Sequence, residues 1–138
     1  MAHLRIDYEA ILRGYYAAWS RQDVDAVVAH FAEGATFEDL AFAATFEGLE
    51  AIRGFVELTY AGAPDFEVHP TEIIAGDSTA AAAWTMTGTH RGDLPGLPAT
   101  GNRFEVRATS IVTFEGEKIV RIVDYWNPLE FRKSVSAL

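Results

Sequence analysis

Apolar residues in the first half of the chain recur at the spacing of one helix face. The first stripe predicts a helix that Asp7 caps at its N-terminus, and its members are Tyr8, Ile11, Leu12, Tyr15 and Trp19. Asp23 is placed to cap a second helix over 24–31, with Gly34 after its end. A short strand is predicted over 35–39. A third helix is predicted after Gly48, because one side of it would carry Leu49, Ile52, Phe55, Val56 and Tyr60.

In the second half, apolar and polar positions alternate with period two, which is typical of strands. Strands are predicted over 65–75, 78–91, 103–115 and 118–126, and a loop rich in glycine and proline over 91–102 separates the second from the third. The strand over 103–115 has the clearest pattern, since one of its faces carries Phe104, Val106, Ala108, Ser110, Val112 and Phe114. Helices followed by long strands predict an α+β fold. The helices would pack on one face of a curved antiparallel sheet and leave a cavity between them.

Composition and charge limit the possible functions. The length of 138 residues predicts one domain, 1–138, and the absence of cysteine excludes disulfides and thiolate metal sites. The 11 basic and 20 acidic residues give a net charge of −9, which disfavours nucleic acid and anionic membrane surfaces as partners. No segment has a signal-peptide core or the roughly 20 apolar residues of a membrane span, so we expect a cytoplasmic protein.

A few polar side chains interrupt the apolar faces, and they are the candidates for chemistry. They are Tyr15, Asp39, His90, Ser110 and Asp124. Burial disfavours the charged form of a carboxylic acid and raises its pKa. Because a carboxylate tuned toward neutral pH suits a general base, two such acids with nearby donors suit proton transfer at a carbon next to a carbonyl.

Each candidate also has a purely structural interpretation. Asp124 can bond a backbone amide where its strand ends, and Asp39 can cap a turn. His90 can lie at the surface beside the glycine- and proline-rich loop, Ser110 can bond a neighbouring strand, and Tyr15 can be core. The predicted walls of the cavity are apolar and aromatic: Trp19, Tyr60, Trp84, Met86, Phe104 and Trp126.

Other sequence motifs of enzymes are absent. The chain has no nucleophilic-serine elbow, phosphate loop, dinucleotide fingerprint or paired-histidine metal motif, and its four histidines are scattered. The sequence therefore predicts no cofactor and no metal.

Several segments resemble those of one superfamily of small domains. Residues 15–19 (YYAAW), Asp23 and 31–39 (FAEGATFED) are similar to the N-terminal half of ketosteroid isomerases. Residues 88–93 (GTHRGD), 98–101 (PATG) and 119–126 (IVRIVDYW) are similar to polyketide cyclases. The chain thus resembles the nuclear transport factor 2-like superfamily, in its branch of SnoaL-like polyketide cyclases and ketosteroid isomerases.

This resemblance implies a cone of curved sheet closed by helices around a deep apolar pocket, and a homodimer formed through the outer sheet face. In the isomerases, a tyrosine matching Tyr15 donates to an enolate oxygen, and an aspartate matching Asp39 shuttles the proton. In the cyclases, an aspartate matching Asp124 is the general acid and base of an intramolecular aldol closure. The isomerases have a second acidic donor where this chain has Ser110, and that departure disfavours steroid isomerase activity. Ala108 and Ser110 likewise disfavour the epoxide hydrolysis of another branch.

The leading hypothesis is a cofactor-free enzyme acting on an apolar polycyclic or aromatic carbonyl compound, with chemistry like that of a polyketide cyclase. Asp124 would be the base, while Tyr15, with Ser110 or His90, would stabilise the enolate oxygen. The loop over 91–102 would border the mouth of the pocket. One alternative is an isomerase in which Asp39 is the base. The other is a non-catalytic ligand-binding or dimerisation module of the same fold.

Overall fold

The two aspartates predicted as helix caps begin the first two helices of the computed structural model, which describes residues 5–136. Asp7 and Asp23 each accept, through Oδ1, a backbone N–H three residues ahead at 3.0 Å. A cap of this kind stabilises a helix by about 1 kcal/mol. The helices of the described residues are α1 (Tyr8–Ser20), α2 (Val24–Val28), α3 (Leu49–Gly62) and α4 (Pro128–Ser134).

Six strands of the described residues form one sheet. They are β1 (Phe31–Asp39), β2 (Ala44–Glu47), β3 (Glu67–Ala75), β4 (Thr79–Thr89), β5 (Arg103–Glu115) and β6 (Lys118–Trp126). Their spatial order is β2-β1-β6-β5-β4-β3. The expected antiparallel pairing holds for four neighbouring pairs, whereas β1 and β6 run parallel. A parallel pair needs a long connection, and the chain provides one because α3 and four other strands lie between β1 and β6.

The bounds of β5 and β6 agree with the predicted ones, β3 and β4 are shorter by one or two residues at an end, and β1 begins at Phe31 rather than at 35. Three shorter features also differ. The second helix ends at Val28 rather than at 31, because Phe31 already begins β1. β2 was not predicted. Pro128 follows the end of β6 as expected, but it is also the first residue of α4. A backbone N–H at that position has no partner within the helix, so its absence in proline does not destabilise the helix. Asn127 caps that helix, its Oδ1 accepting the N–H of Leu129 at 2.9 Å.

The core lies between the helices and the inner face of the sheet. Along β5 the even-numbered residues are buried, and most of the odd-numbered ones are exposed, as the period-two pattern predicts. Tyr8 of α1 stacks on Phe114 of β5 with ring centroids 4.2 Å apart, which fixes the helix over one end of the sheet. The α+β class and the helix-covered sheet are therefore as predicted. Across residues 5–136, no helix has the length and apolar character needed to cross a bilayer.

Candidate active site

Strand register brings the two predicted carboxylates together. Asp39 of β1 is the pairing partner of Asp124 of β6, and Ser110 of β5 is the partner of Asp124 on its other side. Side chains at paired positions point to the same face of a sheet. All three residues are buried, so a row of polar groups crosses three strands beneath the helices.

A cavity lies over this row. Eighteen residues line it, and eleven of them are aromatic. The total empty space between the lining atoms, including the part open to solvent, is about 630 Å³. The volume that the centre of a water molecule can occupy is smaller, about 50 Å³. One water needs roughly 10–15 Å³ by the second measure, so the cavity accepts about three to five water-sized groups.

Asp124 is held by a chain of two hydrogen bonds that runs in one direction. The indole Nε1–H of Trp84 donates to Ser110 Oγ at 2.9 Å, and Ser110 Oγ–H donates to Asp124 Oδ1 at 2.6 Å. The indole can only donate, so the serine proton is directed to the carboxyl. The second oxygen of Asp124, Oδ2, has no hydrogen-bond partner among the described residues, and Asp124 lines the cavity.

Burial dominates the acidity of Asp124. Loss of solvent raises its pKa to about 8, the hydrogen bond from Ser110 opposes the rise, and the neighbouring charge of Asp39 adds to it. Asp124 is therefore mostly protonated at neutral pH, and the ionised fraction is a stronger base than an ordinary carboxylate.

Asp39 has both carboxyl oxygens occupied. Trp126 Nε1–H donates to Oδ2 and the backbone N–H of Phe42 donates to Oδ1, each at 3.0 Å. Burial raises the pKa of Asp39, while these hydrogen bonds work against the rise because they favour the charged form. Asp39 thus has less capacity than Asp124 to accept a further proton from a ligand.

Two adjacent tyrosines of α1 complete the polar part of the cavity. Burial raises the pKa of both Tyr15 and Tyr16, and the charge of Asp124 adds to the rise, so both hydroxyls stay neutral donors. The hydroxyl of Tyr16 is buried without a hydrogen-bond partner among residues 5–136. Sequence reasoning missed Tyr16, although its place four residues after Leu12 puts it on the same helix face.

The predicted cavity walls fall in two groups. Trp19, Trp84, Met86, Phe104 and Trp126 line the cavity together with Tyr15, Asp39 and Asp124. Tyr60 lies outside the lining, where its hydroxyl donates to the backbone oxygen of Trp19 at 2.8 Å. Ser110 also lies behind the lining and reaches a ligand only through Asp124.

His90 is buried, but the structure does not bring it to the cavity. One ring nitrogen lies 3.1 Å from the backbone oxygen of Leu97, and the other lies 3.3 Å from Thr100 Oγ1. His90 therefore stabilises the loop over 91–102. Leu94 of this loop lines the cavity. His90 is not among the lining residues, and its predicted role as a donor to the ligand stays a prediction. Within the part of the chain that is described, no three His, Asp or Glu residues gather as metal ligands.

Comparison with known proteins places this geometry in a family. The sequence model of the SnoaL-like domain matches residues 12–122. No curated protein matches the chain. Among solved structures, a candidate SnoaL-like polyketide cyclase from Jannaschia sp. CCS1 is 19% identical, with 99% of each chain covered and a TM-score of 0.82.

Two further solved structures share the fold. IdmH, a candidate polyketide cyclase from Streptomyces antibioticus, is 18% identical over 94% of this chain and 99% of its own, with a TM-score of 0.81. A hypothetical protein with a ketosteroid isomerase-like fold from Catenulispora acidiphila, in complex with trimethylamine, is 23% identical over 91% of each chain, with a TM-score of 0.81.

Proposed function

The chain belongs to the SnoaL-like domain family, and from this premise we propose that it catalyses proton transfer next to a carbonyl group of a small molecule, as in the aldol-type closure of a polyketide cyclase. The observation that carries the proposal is Asp124, a buried acid. Ser110 donates to one of its oxygens, and the other has no hydrogen-bond partner among residues 5–136. A group of this kind can take a proton from a ligand and return it.

The reaction would begin at Asp124 Oδ2. This oxygen takes a proton from the carbon next to the carbonyl, and the electron pair of the broken C–H bond moves to the carbonyl oxygen. The hydroxyls of Tyr15 and Tyr16 donate hydrogen bonds to that enolate oxygen. In an aldol closure, the enolate carbon then bonds to a second carbonyl carbon of the same molecule, and the resulting alkoxide takes the proton from Asp124.

The acidity of Asp124 suits both halves of this cycle. With a pKa of about 8, roughly a tenth of the molecules carry the ionised base at pH 7. The protonated form is the one that returns the proton. Because only the ionised form takes a proton from carbon, the rate should rise with pH up to about 8.

Deuterium exchange tests this proposal without knowledge of the natural substrate. Acetone and cyclopentanone in D₂O would be followed by proton NMR for loss of the hydrogens next to the carbonyl. We expect Asp124→Asn to lower the protein-dependent exchange rate by about 10²–10⁴-fold, the usual contribution of a general base. Asp77→Asn is the matched control, because Asp77 is exposed in the turn between β3 and β4.

The same experiment separates the alternatives. A larger loss in Asp39→Asn than in Asp124→Asn would transfer the role of base to Asp39, as in the isomerase hypothesis. Full exchange in both variants would contradict the assignment of either carboxylate. Exchange no faster than in buffer alone, for the unaltered protein, would favour a non-catalytic binding module.

The size of the cavity supports a small ligand. Its three to five water-sized spaces match a molecule of about that many non-hydrogen atoms. The Catenulispora acidiphila protein forms a complex with trimethylamine, which has four such atoms. A molecule of that size fits the cavity as it stands. A substrate with two carbonyl groups on one carbon chain is larger, so its entry would require Leu94 and its loop to move outward.

The outer face of the sheet supports the proposed homodimer. Ile74, Ala81, Ile111 and Val123 form a row of paired positions across β3, β4, β5 and β6. Ile74 is 63% exposed and Ile111 is 39% exposed. A second copy packed on this face would cover both side chains. Sedimentation velocity measures the association, and a monomer at all concentrations would rule it out.

A further inference from the structure

Among the residues that the structure describes, two acids and no basic residue line the cavity. None of the residues that line it is lysine, arginine or histidine. The ion pairs of the described residues lie elsewhere, and none includes Asp39 or Asp124. The groups that face Asp124 are Asp39 from β1, Ser110 from β5, and two tyrosines from α1. An ionised carboxylate here has no positive partner among residues 5–136.

Burying an unpaired charge costs far more than burying a paired one. Asp39 and Asp124 can avoid that cost in two ways. They can hold protons, or a cationic ligand can supply the missing charge. The second way stabilises the ionised pair only while the ligand is bound, so binding and ionisation would be linked.

The aromatic lining favours a cation over a neutral ligand. Trp84 and Trp126 line the cavity, but their N–H groups are already bonded to Ser110 and Asp39. These two N–H groups are therefore not available to donate to a ligand. The faces of aromatic rings carry negative electrostatic potential. A desolvated ammonium group is attracted to such faces, and cages of aromatic rings are the usual way that proteins recognise quaternary ammonium groups.

We propose that the cavity binds a small organic cation, whose quaternary or protonated nitrogen lies among the aromatic rings and is balanced by the buried carboxylates. The inference rests on the proposed function only in taking this cavity as the ligand site. It adds that the substrate carries a positive charge close to its reacting carbonyl. It does not depend on which carboxylate is the base.

Binding of two probes of equal size tests the inference on the unaltered protein. Tetramethylammonium and tert-butanol each have five non-hydrogen atoms in a tetrahedral arrangement, but only the first is charged. Isothermal titration calorimetry at pH 8.5 should give at least about tenfold tighter binding of tetramethylammonium. Its affinity should rise about tenfold or more between pH 6 and pH 9, because the probe cannot titrate and the carboxylates can. The affinity of tert-butanol should not rise.

Substitutions of single aspartates test which carboxylate balances the charge of the bound cation. Asp124→Asn should weaken tetramethylammonium binding by about tenfold and change tert-butanol binding by a much smaller factor. Asp77→Asn should change neither, and circular dichroism checks that both variants fold. If Asp124→Asn does not fold, the probe comparison and the pH series on the unaltered protein still decide the question.

Other outcomes overturn the inference. Equal binding of the two probes, a flat pH dependence, or no binding of tetramethylammonium would each exclude a cation site. If ketone exchange depends on Asp124 while tetramethylammonium does not bind, the proposed function stands and the cation inference falls. If tetramethylammonium binds as expected but ketone exchange does not depend on Asp124, the cation site stands and the proposed base falls.

Discussion

Replacing Asp124 with asparagine should make the folded protein more stable at neutral pH, while removing the proposed base. Asparagine keeps the shape of the side chain and still offers an amide oxygen to the Ser110 hydroxyl, which donates to Oδ1 at 2.6 Å. It has no charge to lose on burial. Burial of the acid lowers the free energy of unfolding, so replacing the acid with asparagine should raise it.

The magnitude follows from the difference between the two states of Asp124. Its pKa is about 8 in the folded protein, against an ordinary value of 3.8. Below about pH 4 both states hold the proton, and the acid carries no penalty. Between about pH 4 and pH 8 only the unfolded state ionises, so stability falls by about 1.4 kcal/mol for each pH unit. The expected gain from Asp124→Asn is thus about 3 kcal/mol at pH 6 and about 4 kcal/mol at pH 7.

Urea unfolding at pH 4, 6 and 7 measures this gain. We expect the midpoints of the unaltered protein and Asp124→Asn to be close at pH 4 and to separate as the pH rises. Asp77→Asn serves as the control for loss of one negative charge, and it should follow the unaltered protein at each pH. An Asp124→Asn midpoint at or below that of the unaltered protein at pH 7 would refute the reasoning. A difference between the two urea midpoints that becomes smaller as the pH rises from 4 to 7 would also refute it.

Two further substitutions test the hydrogen bonds of the cavity. Ser110→Ala removes the hydrogen bond that opposes the effect of burial, so the pKa of Asp124 should rise further. A carboxyl NMR titration would show a higher midpoint, and an unchanged one would mean that Ser110 has no such role. Tyr16→Phe removes a buried hydroxyl without a described partner, so the ligand-free protein should be unchanged or more stable by up to about 1–3 kcal/mol. Thermal unfolding measures this, and a clear loss of stability would show that the hydroxyl has a partner that the structure does not reveal.

Local sequence patterns determined much of the fold. The alternation over 103–115 predicted the bounds of β5 correctly, because a strand with one buried face must alternate. Asp7 and Asp23 predicted two helix starts, because a short acidic side chain satisfies a free N–H there. The elements that were missed, β2 and α4, are four and seven residues long. Such short elements depend on the neighbours they pack against rather than on their own periodicity.

The sequence by itself determined that Asp39, Ser110 and Asp124 point inward, since parity along a strand fixes the face of each side chain. It did not determine that the two aspartates are paired, because the parallel register of β1 and β6 joins residues far apart in the chain. It also did not show that His90 serves the loop or that the Tyr16 hydroxyl is unpaired. The pKa of a buried acid depends on solvent exclusion and on the charges beside it. Both are set by long-range packing. The tertiary structure alone therefore decided that both oxygens of Asp39 are hydrogen-bonded, while Asp124 Oδ2 has no partner among the described residues.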